Sequence, residues 1–559
     1  MPDSLNSTAG SAPSAARSER LFRSAGLVSL SVLISRISGM LREMLMARLF
    51  GGGYGPVYDS FLLGFRIPNL TRDLFAEGAL SAAFVPTFTN YLTTRSREEA
   101  ARLANLVATA ILLVVGGVCV AGMIFSPALV HLLAPGFEKV PGKFDLAVHM
   151  TRIMFPFLLL VALAAQAMGM LNSCGQFAIP AFSSTFFNLG SVIFGLVLGY
   201  WAGPLLGIDP IEGMAYGVVL GGALQLLWQL PSLNRSGFRF RPAMDWSHPG
   251  LRQIIALMGP AILGNAAVQV NVMVNTNFAS GISDPVTGLN GPVSWLTYAF
   301  RFMQLPLGLF GVAIATATLP AISQSASAGR MEEFRRTLSR SLGMVFLLTV
   351  PSSIGLVVLG GPMIAVIYEG GKFHAYDTQQ TALALSFYSI GLAGYAAIKV
   401  LAPAFYALND SRTPMLVSLG SIGINYVAAS AMVRSGTLGH ASLALATSLV
   451  ALFNFVALFW LLRNRLGGIH GRELASSVAR IGAASLVMGV VVFVTGHGLE
   501  AALGLSKPAR LLNLAVSVPA GASSFYLVCK ALKVGELEMA TRALLAPAMR
   551  SISRRRDRI

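Results

Sequence analysis

The sequence predicts an all-α polytopic membrane protein of about fourteen transmembrane helices: two six-helix lobes in parallel repeat around a central cavity, plus two extra helices. Three observations carry that prediction. Only 12% of the 559 residues are charged, 54% are hydrophobic and the mean hydropathy is +0.67, whereas soluble domains have about a quarter of their residues charged. Fourteen apolar stretches begin near residues 25, 58, 103, 147, 177, 211, 251, 292, 337, 379, 413, 438, 474 and 509. Most reach the roughly 20 residues that cross a hydrocarbon layer as a helix. The third observation is an internal repeat.

Residues 1–20 are rich in Ser and Ala, lack the apolar core and cleavage pattern of a signal peptide, and read as a disordered cytoplasmic tail. An N-terminal lobe follows at 21–235, a C-terminal lobe at 245–466, the two extra spans at 472–533, and a basic cytoplasmic tail at 534–559. With loops assigned alternately to the two sides, 26 of the 41 basic residues fall on one side. The other side holds six: Lys139, Lys143, Lys372, Arg434, Lys507 and Arg510. The positive-inside rule therefore places both termini in the cytoplasm, which requires an even number of spans. The net charge of +17 is a topology signal, with "RSISRRRDRI" a candidate contact for anionic lipid. Nucleic acid is not an expected partner, since no basic patch accompanies a recognisable nucleic-acid fold. Cys119, Cys174 and Cys529 are scattered on apolar segments, which excludes a disulfide framework or a thiolate metal cluster.

The repeat is legible in four places. Glu98 and Glu99 of "SREEAARLANL" align with Glu332 and Glu333 of "RMEEFRRTLSR" at an offset of 234, as does Pro86 with Pro320. "GKF" recurs at 142 and 371, and "LNSCGQFAIPA" at 171 resembles "LNDSRTPM" at 408. Two halves of six spans each enter from the same side, so they are related by an axis along the membrane normal. That arrangement puts a cavity between lobes, a substrate site near the midplane, and alternating access by rocking.

The charges inside the spans then become interpretable. An arginine at the bilayer centre costs about 2.5–3.5 kcal/mol on insertion scales and is rare unless it meets a cavity or a partner. "SRISGMLREMLMARLF" carries Arg36, Arg42, Glu43 and Arg48; Arg36 and Glu43, seven apart, share one helix face while Arg42 lies on another. The next span holds Asp59, Arg66, Arg72, Asp73 and Glu77, and Pro68 is expected to bend or break it. Gly51 to Gly53 with Gly55 form a connection that serves either as a hinge or as a simple turn. Arg301 has no acid within a helical turn, Lys399 is the other basic residue at depth, and Arg152 can snorkel from a span end. Arg36, Arg42, Arg66, Arg72 and Arg301 against Asp59 and Glu77 leave the proposed cavity net positive. Guanidinium forks match phosphate bidentately, so the expected substrate is anionic and phosphorylated. The competing reading is that Arg36, Arg42 and Arg72 pair with Glu43, Asp59 or Glu77 to hold helices together.

No G-x-x-x-x-G-K-[ST] loop, H-E-x-x-H motif or nucleophile elbow occurs, so an ATP-driven pump, a metalloenzyme and a membrane transferase are disfavoured. No cofactor or metal is expected, and movement draws on the membrane potential, a monovalent ion or another subunit.

At these residues the chain resembles the MurJ/MviN family of lipid II flippases, within the MOP exporter superfamily. The resemblance spans about residues 22–533 and is most specific in "SRISGMLRE", "FRIPNLTRDLFAEGALSAAFVP", "MGPAILG", "SWLTYAFRFMQLPLGLFGVAIATATLP", "GKF" and "KVLAPAFYALNDSRTP". It implies a transporter, not an enzyme, in the bacterial inner membrane. A V-shaped cavity would bind the diphosphate and sugar-peptide head group of lipid II and carry it to the outer leaflet for peptidoglycan synthesis and cell shape. The last two helices would form a groove for the polyprenyl tail, and cell-wall synthesis or division machinery is a candidate partner. The family's cavity arginines correspond here to Arg36, Arg42, Arg72 and Arg301, with Asp59 and Glu77 nearby and Arg66 where a lysine is often seen. Some relatives carry an acid just before the fourth arginine; here that place is Phe300. The rival readings are a polysaccharide-unit flippase, a cation-coupled drug exporter, whose cavity would need acidic residues, and a non-transporting scaffold.

Overall fold

The computed structural model describes residues 31, 33–51, 56–72, 80–284, 286 and 292–541. The expectations on the N-terminal tail, on Gly52, Gly53 and Gly55, on Asp73 and Glu77, and on the tail beyond 541 lie outside the described residues.

The elements are helical, and among the described residues eleven helices are long and apolar enough to cross a membrane. Three other helices coincide with stretches counted in the sequence. The helix at 33–50 carries four charges, Pro56–Arg72 has only 17 residues, and the 33-residue Pro249–Gly281 is diluted by Arg252, Gln253, Gln269, Asn271, Asn275 and Asn277. Pro68 does not interrupt its helix, which runs on to Arg72. A proline removes a single N–H, a loss that spanning helices tolerate.

The starts of the long helices follow elementary capping. Extended Ser96 accepts the Glu99 N–H, and Glu98 and Glu99 sit in the first turn of Arg97–Ile124, where acids complement the helix dipole. Glu332 and Glu333 hold the same places in Met331–Tyr368. The helix before each also matches: Ser81–Thr94 contains Pro86 and Ala313–Ser327 contains Pro320. In "NDSRTP", Asp410 accepts the N–H and hydroxyl of Thr413 ahead of Arg412–Ser435. Those bonds, with Arg465 beside them, hold its carboxyl below the usual carboxylate range.

The chain divides into two compact units: Met1–Met46 with Pro56–Gln269, and Ala47–Gly55 with Val270–Ile559. The first core gathers Phe84, Phe88, Leu103, Ala162, Leu233 and Phe238. Leu251 and Ile254 belong to it, and a Cβ on Gly250 would lie 2.9 Å from the Tyr91 ring. The early turns of Pro249–Gly281 therefore pack with the first unit, although the sequence suggests a junction at 235–245. The second core gathers Phe334, Leu342, Ala396, Val400, Leu462 and Ile481, and Val534 joins it at the start of the C-terminal tail. In the second unit Asn271, Asn275, Ser421, Asn425 and Thr447 hydrogen-bond across three helices, polar glue of the kind that joins spans in lipid.

Lipid tails are as apolar as leucine, so spans associate mainly through close packing of small residues. Ala178–Leu196 and Pro210–Leu227 do this in the first unit, with Gly213, Gly217 and Gly221 facing Gly199, Gly195 and Ser191. A Cβ on Gly217 would lie 2.4 Å from the Ser191 carbonyl oxygen. Elsewhere large apolar side chains point outward, among them Val120 (58% exposed), Ile124 (63%) and Val490 (63%), a surface that only lipid covers comfortably.

Gly217→Val is expected to lower the thermal unfolding temperature of the purified protein, since overpacking costs about 1–3 kcal/mol. Unchanged melting, read by fluorescence-detected size exclusion, would contradict the backbone contact described here.

Candidate functional site

The helix at 33–50 opens the site. Asn188 donates to the Ser35 carbonyl and the Ser38 hydroxyl, both at 3.1 Å, and a Cβ on Gly39 would meet the same amide at 3.3 Å. That clamp fixes the rotation of the helix about its axis, and with it the directions of Arg36 and Arg42. Arg36 is exposed. Arg42 is half-buried, its guanidinium carbon 5.1 Å from the centre of the Phe187 ring and 5.8 Å from that of Phe65. Ring faces attract a cation with about 0.5–2 kcal/mol, so Phe65 and Phe187 help to hold the Arg42 guanidinium in place.

Phe65 precedes Arg66, so the same contact brings Arg42 beside the second arginine-bearing helix, Pro56–Arg72. Arg66 and Arg72 are half-buried there. Asp59, read from the sequence as a cavity acid, is 1% exposed, and Lys143 Nζ lies 2.9 Å from its Oδ2. Lys143, read from the sequence as a loop charge, is 2% exposed, with its ammonium 4.2 Å from the Phe137 ring centre. Ser60 also donates to the Lys143 carbonyl at 3.0 Å. A Cβ on Gly64 would lie 2.7 Å from Met150, so the two helices run in close contact beyond the pair. Pair, hydroxyl and glycine together anchor Pro56–Arg72 against Lys143–Met154 and set where Arg66 and Arg72 project. Arg152 behaves as expected at a span end, exposed and donating to Ser126 Oγ at 3.0 Å.

In the second unit, Val293–Pro306 is held by Trp295, whose indole N–H donates to Asp377 Oδ1 at 2.8 Å. Asp377 in turn accepts the His374 N–H in a capping box at the start of Ala375–Ala407. Tyr298, Phe302 and Met303 are buried, and Arg301 is exposed. Phe300 packs edge-on against Tyr388 with ring centres 5.4 Å apart. Lys399 is exposed on Ala375–Ala407. The residues missed in the sequence are the positioners Asn188, Phe65, Phe187, Lys143, Trp295 and Asp377. Only Lys143 had a signal, the recurrence of "GKF". Among the described residues no group of three His, Cys, Asp or Glu side chains could hold a metal ion.

The family model described as lipid II flippase MurJ matches residues 46–507. The chain belongs to the MurJ family. It is 34% identical over 478 residues to the lipid II flippase MurJ of Burkholderia cenocepacia, covering 84% of this chain and 89% of that one. It is 35% identical over 484 residues to a probable lipid II flippase MurJ of Vibrio cholerae, covering 84% and 88%. A solved MurJ in an inward closed conformation superposes with a TM-score of 0.72 at 23% identity, over 90% of this chain and 99% of that one. An inward-facing MATE transporter of the MOP superfamily superposes with a TM-score of 0.60 at 15% identity, over 79% of this chain and 94% of that one. The protein is thus a multi-pass membrane transporter with a MurJ/MATE-like fold and not an enzyme.

Lys143→Met removes the Lys143 ammonium from the buried Asp59 carboxylate, and breaking a buried pair from one side costs about 3–5 kcal/mol. The expected result is a sharp loss of folded protein, with most of it recovered in Asp59→Leu/Lys143→Met. A double variant no better than the single would remove the ion pair as the reason.

Proposed function

We propose that the protein flips lipid II, carrying its diphosphate and sugar-peptide head group from the cytoplasmic to the outer leaflet of the bacterial inner membrane by alternating access. Membership of the MurJ family supports this, as does 34% identity to a lipid II flippase over 84% of the chain. The observation that carries the reading is the supply of guanidinium groups on spanning helices. In the first unit Arg42 is held by ring faces beside the helix bearing Arg66 and Arg72, while the acid on that helix, Asp59, is engaged by Lys143. In this reading Arg36, Arg42, Arg66 and Arg72 of the first unit and Arg301 of the second are the groups that engage pyrophosphate. Charge-assisted forks of this kind hold phosphate strongly and stay charged at any relevant pH.

In this reading the three helices at 33–50, Pro56–Arg72 and Pro249–Gly281 also cross, which with the eleven others makes fourteen spans and leaves both termini cytoplasmic. In this reading the helices Gly471–Leu503 and Lys507–Ala531 guide the polyprenyl tail while the rest of the chain supplies alternating access. A receptacle that is positive when empty and nearly neutral when loaded makes the return step sensitive to membrane potential, at about 2.3 kcal/mol per charge per 100 mV.

Arg301→Ala is expected to reduce lipid II translocation in proteoliposomes at least tenfold, since a hydrogen bond to a charged group contributes about 1.5–3 kcal/mol, with protein levels unchanged. Arg301→Lys should restore activity only in part. Loss of folded protein in both variants, instead of loss of transport, would favour a scaffold.

Collapsing the potential across the same proteoliposomes is expected to leave lipid II binding intact and slow turnover. Turnover that is indifferent to potential would remove the electrical return step.

A further inference from the structure

The turn at residues 467–470 joins two spans, Ala441–Leu466 and Gly471–Leu503, and therefore lies at a membrane surface. Beside it is a recess of about 340 Å3. That volume is within the roughly 300–1,000 Å3 of small-molecule sites. Phe459, Ile469 and Ala475 give it an apolar wall, and Arg463 and Arg472 stand at its rim with His470. The turn has a defined shape: Gly467 and His470 both adopt left-handed backbone, at φ +68° and +46°. His470 is tied back, Nε2 lying 2.8 Å from Glu332 Oε1, and Arg335 reaches the same carboxylate at 3.4 Å.

The arginines around this pair of helix ends differ in what they meet. Arg465 is paired with Asp410. Arg480 donates to the carbonyls of Leu532 and Lys533, each at 3.4 Å. Arg463 and Arg472, the two that line the recess, are exposed and make no ion pair or side-chain hydrogen bond among the described residues. Glu473 follows Arg472 in the chain but does not line the recess. Trp460, 57% exposed beside Phe459, marks the level at which aromatic side chains meet the membrane–water boundary.

We propose that this recess is a binding site for an anionic glycerophospholipid, with the phosphodiester between Arg463 and Arg472 and the start of an acyl chain along Phe459, Ile469 and Ala475. A zwitterionic lipid offers the same phosphate with a cation attached, so the arginine pair selects phosphatidylglycerol over phosphatidylcholine. The site faces whichever leaflet the turn contacts and does not depend on the flippase reading.

The test uses the purified full chain in mixed micelles with equimolar phosphatidylglycerol and phosphatidylcholine, with bound lipid counted by native mass spectrometry. The wild type is expected to retain phosphatidylglycerol in preference, and Arg463→Gln/Arg472→Gln to weaken that retention about 30-fold, from about fivefold per arginine near the surface. Arg463→Lys/Arg472→Lys should keep most of it. The exposed single substitution Arg472→Gln, expected to cost about fivefold, carries the same test should the double variant not yield protein. Retention unchanged in the glutamine variants, or equal retention of the two lipids, overturns the proposal. Displacement of the lipid by millimolar glycerol 3-phosphate also overturns it, since it would assign the recess to a soluble phosphate. No transport is measured, so the outcome is separable from the success or failure of lipid II flipping.

Discussion

An ionised side chain in a hydrocarbon layer is tolerated only where water, an opposite charge or a ring face meets it, and much of this molecule is organised around that constraint. The first unit shows all three responses. Arg36 is left open, Arg42 rests between Phe65 and Phe187, and Asp59 is sealed against Lys143. The sealed pair fixes the helix that carries Arg66 and Arg72 against Lys143–Met154, and so sets where those two side chains start. A buried ion pair adds little net stability compared with packed apolar residues. Its value here is positional.

Around these charges the packing follows from the solvent. Because lipid supplies no hydrophobic drive between spans, adhesion comes from close backbone approach at Gly213, Gly217 and Gly221, and from neutral polar networks such as that of Asn271, Asn275 and Asn425. Both units use these devices, and each opens a long span with paired glutamates after a helix with an internal proline. The helix starts match between the two units although the contacts around them differ.

How much of this was legible in the sequence depends on the kind of information. Helix positions were readable because apolar length and charge-free windows are one-dimensional properties. The charged residues on spans were readable for the same reason, since each violates a local rule. Their partners were not. Lys143 sits beside a glycine near a span end and looks like any loop lysine until the fold brings Asp59 to 2.9 Å. Asn188 and Phe187 read as ordinary members of an apolar helix, and only three-dimensional proximity gives them a role in setting Arg36 and Arg42. The persistence of helix through Pro68 was hidden too, because one missing N–H is a local cost that neighbouring packing decides whether to absorb. The packing of the first turns of Pro249–Gly281 with the first unit rests on contacts of Gly250, Leu251 and Ile254 that composition does not reveal.

The bond between Asp59 and Lys143 also bears on how the chain is made. Its two partners are separated by 84 residues, so the carboxylate leaves the ribosome long before its counter-ion exists. During that interval the segment around Asp59 lacks the ammonium that it meets in the folded unit, and it gains that contact when the segment beginning at Lys143 arrives beside it. A contact that fixes Pro56–Arg72 against Lys143–Met154 is therefore one that a nascent chain of the first two helices alone does not contain.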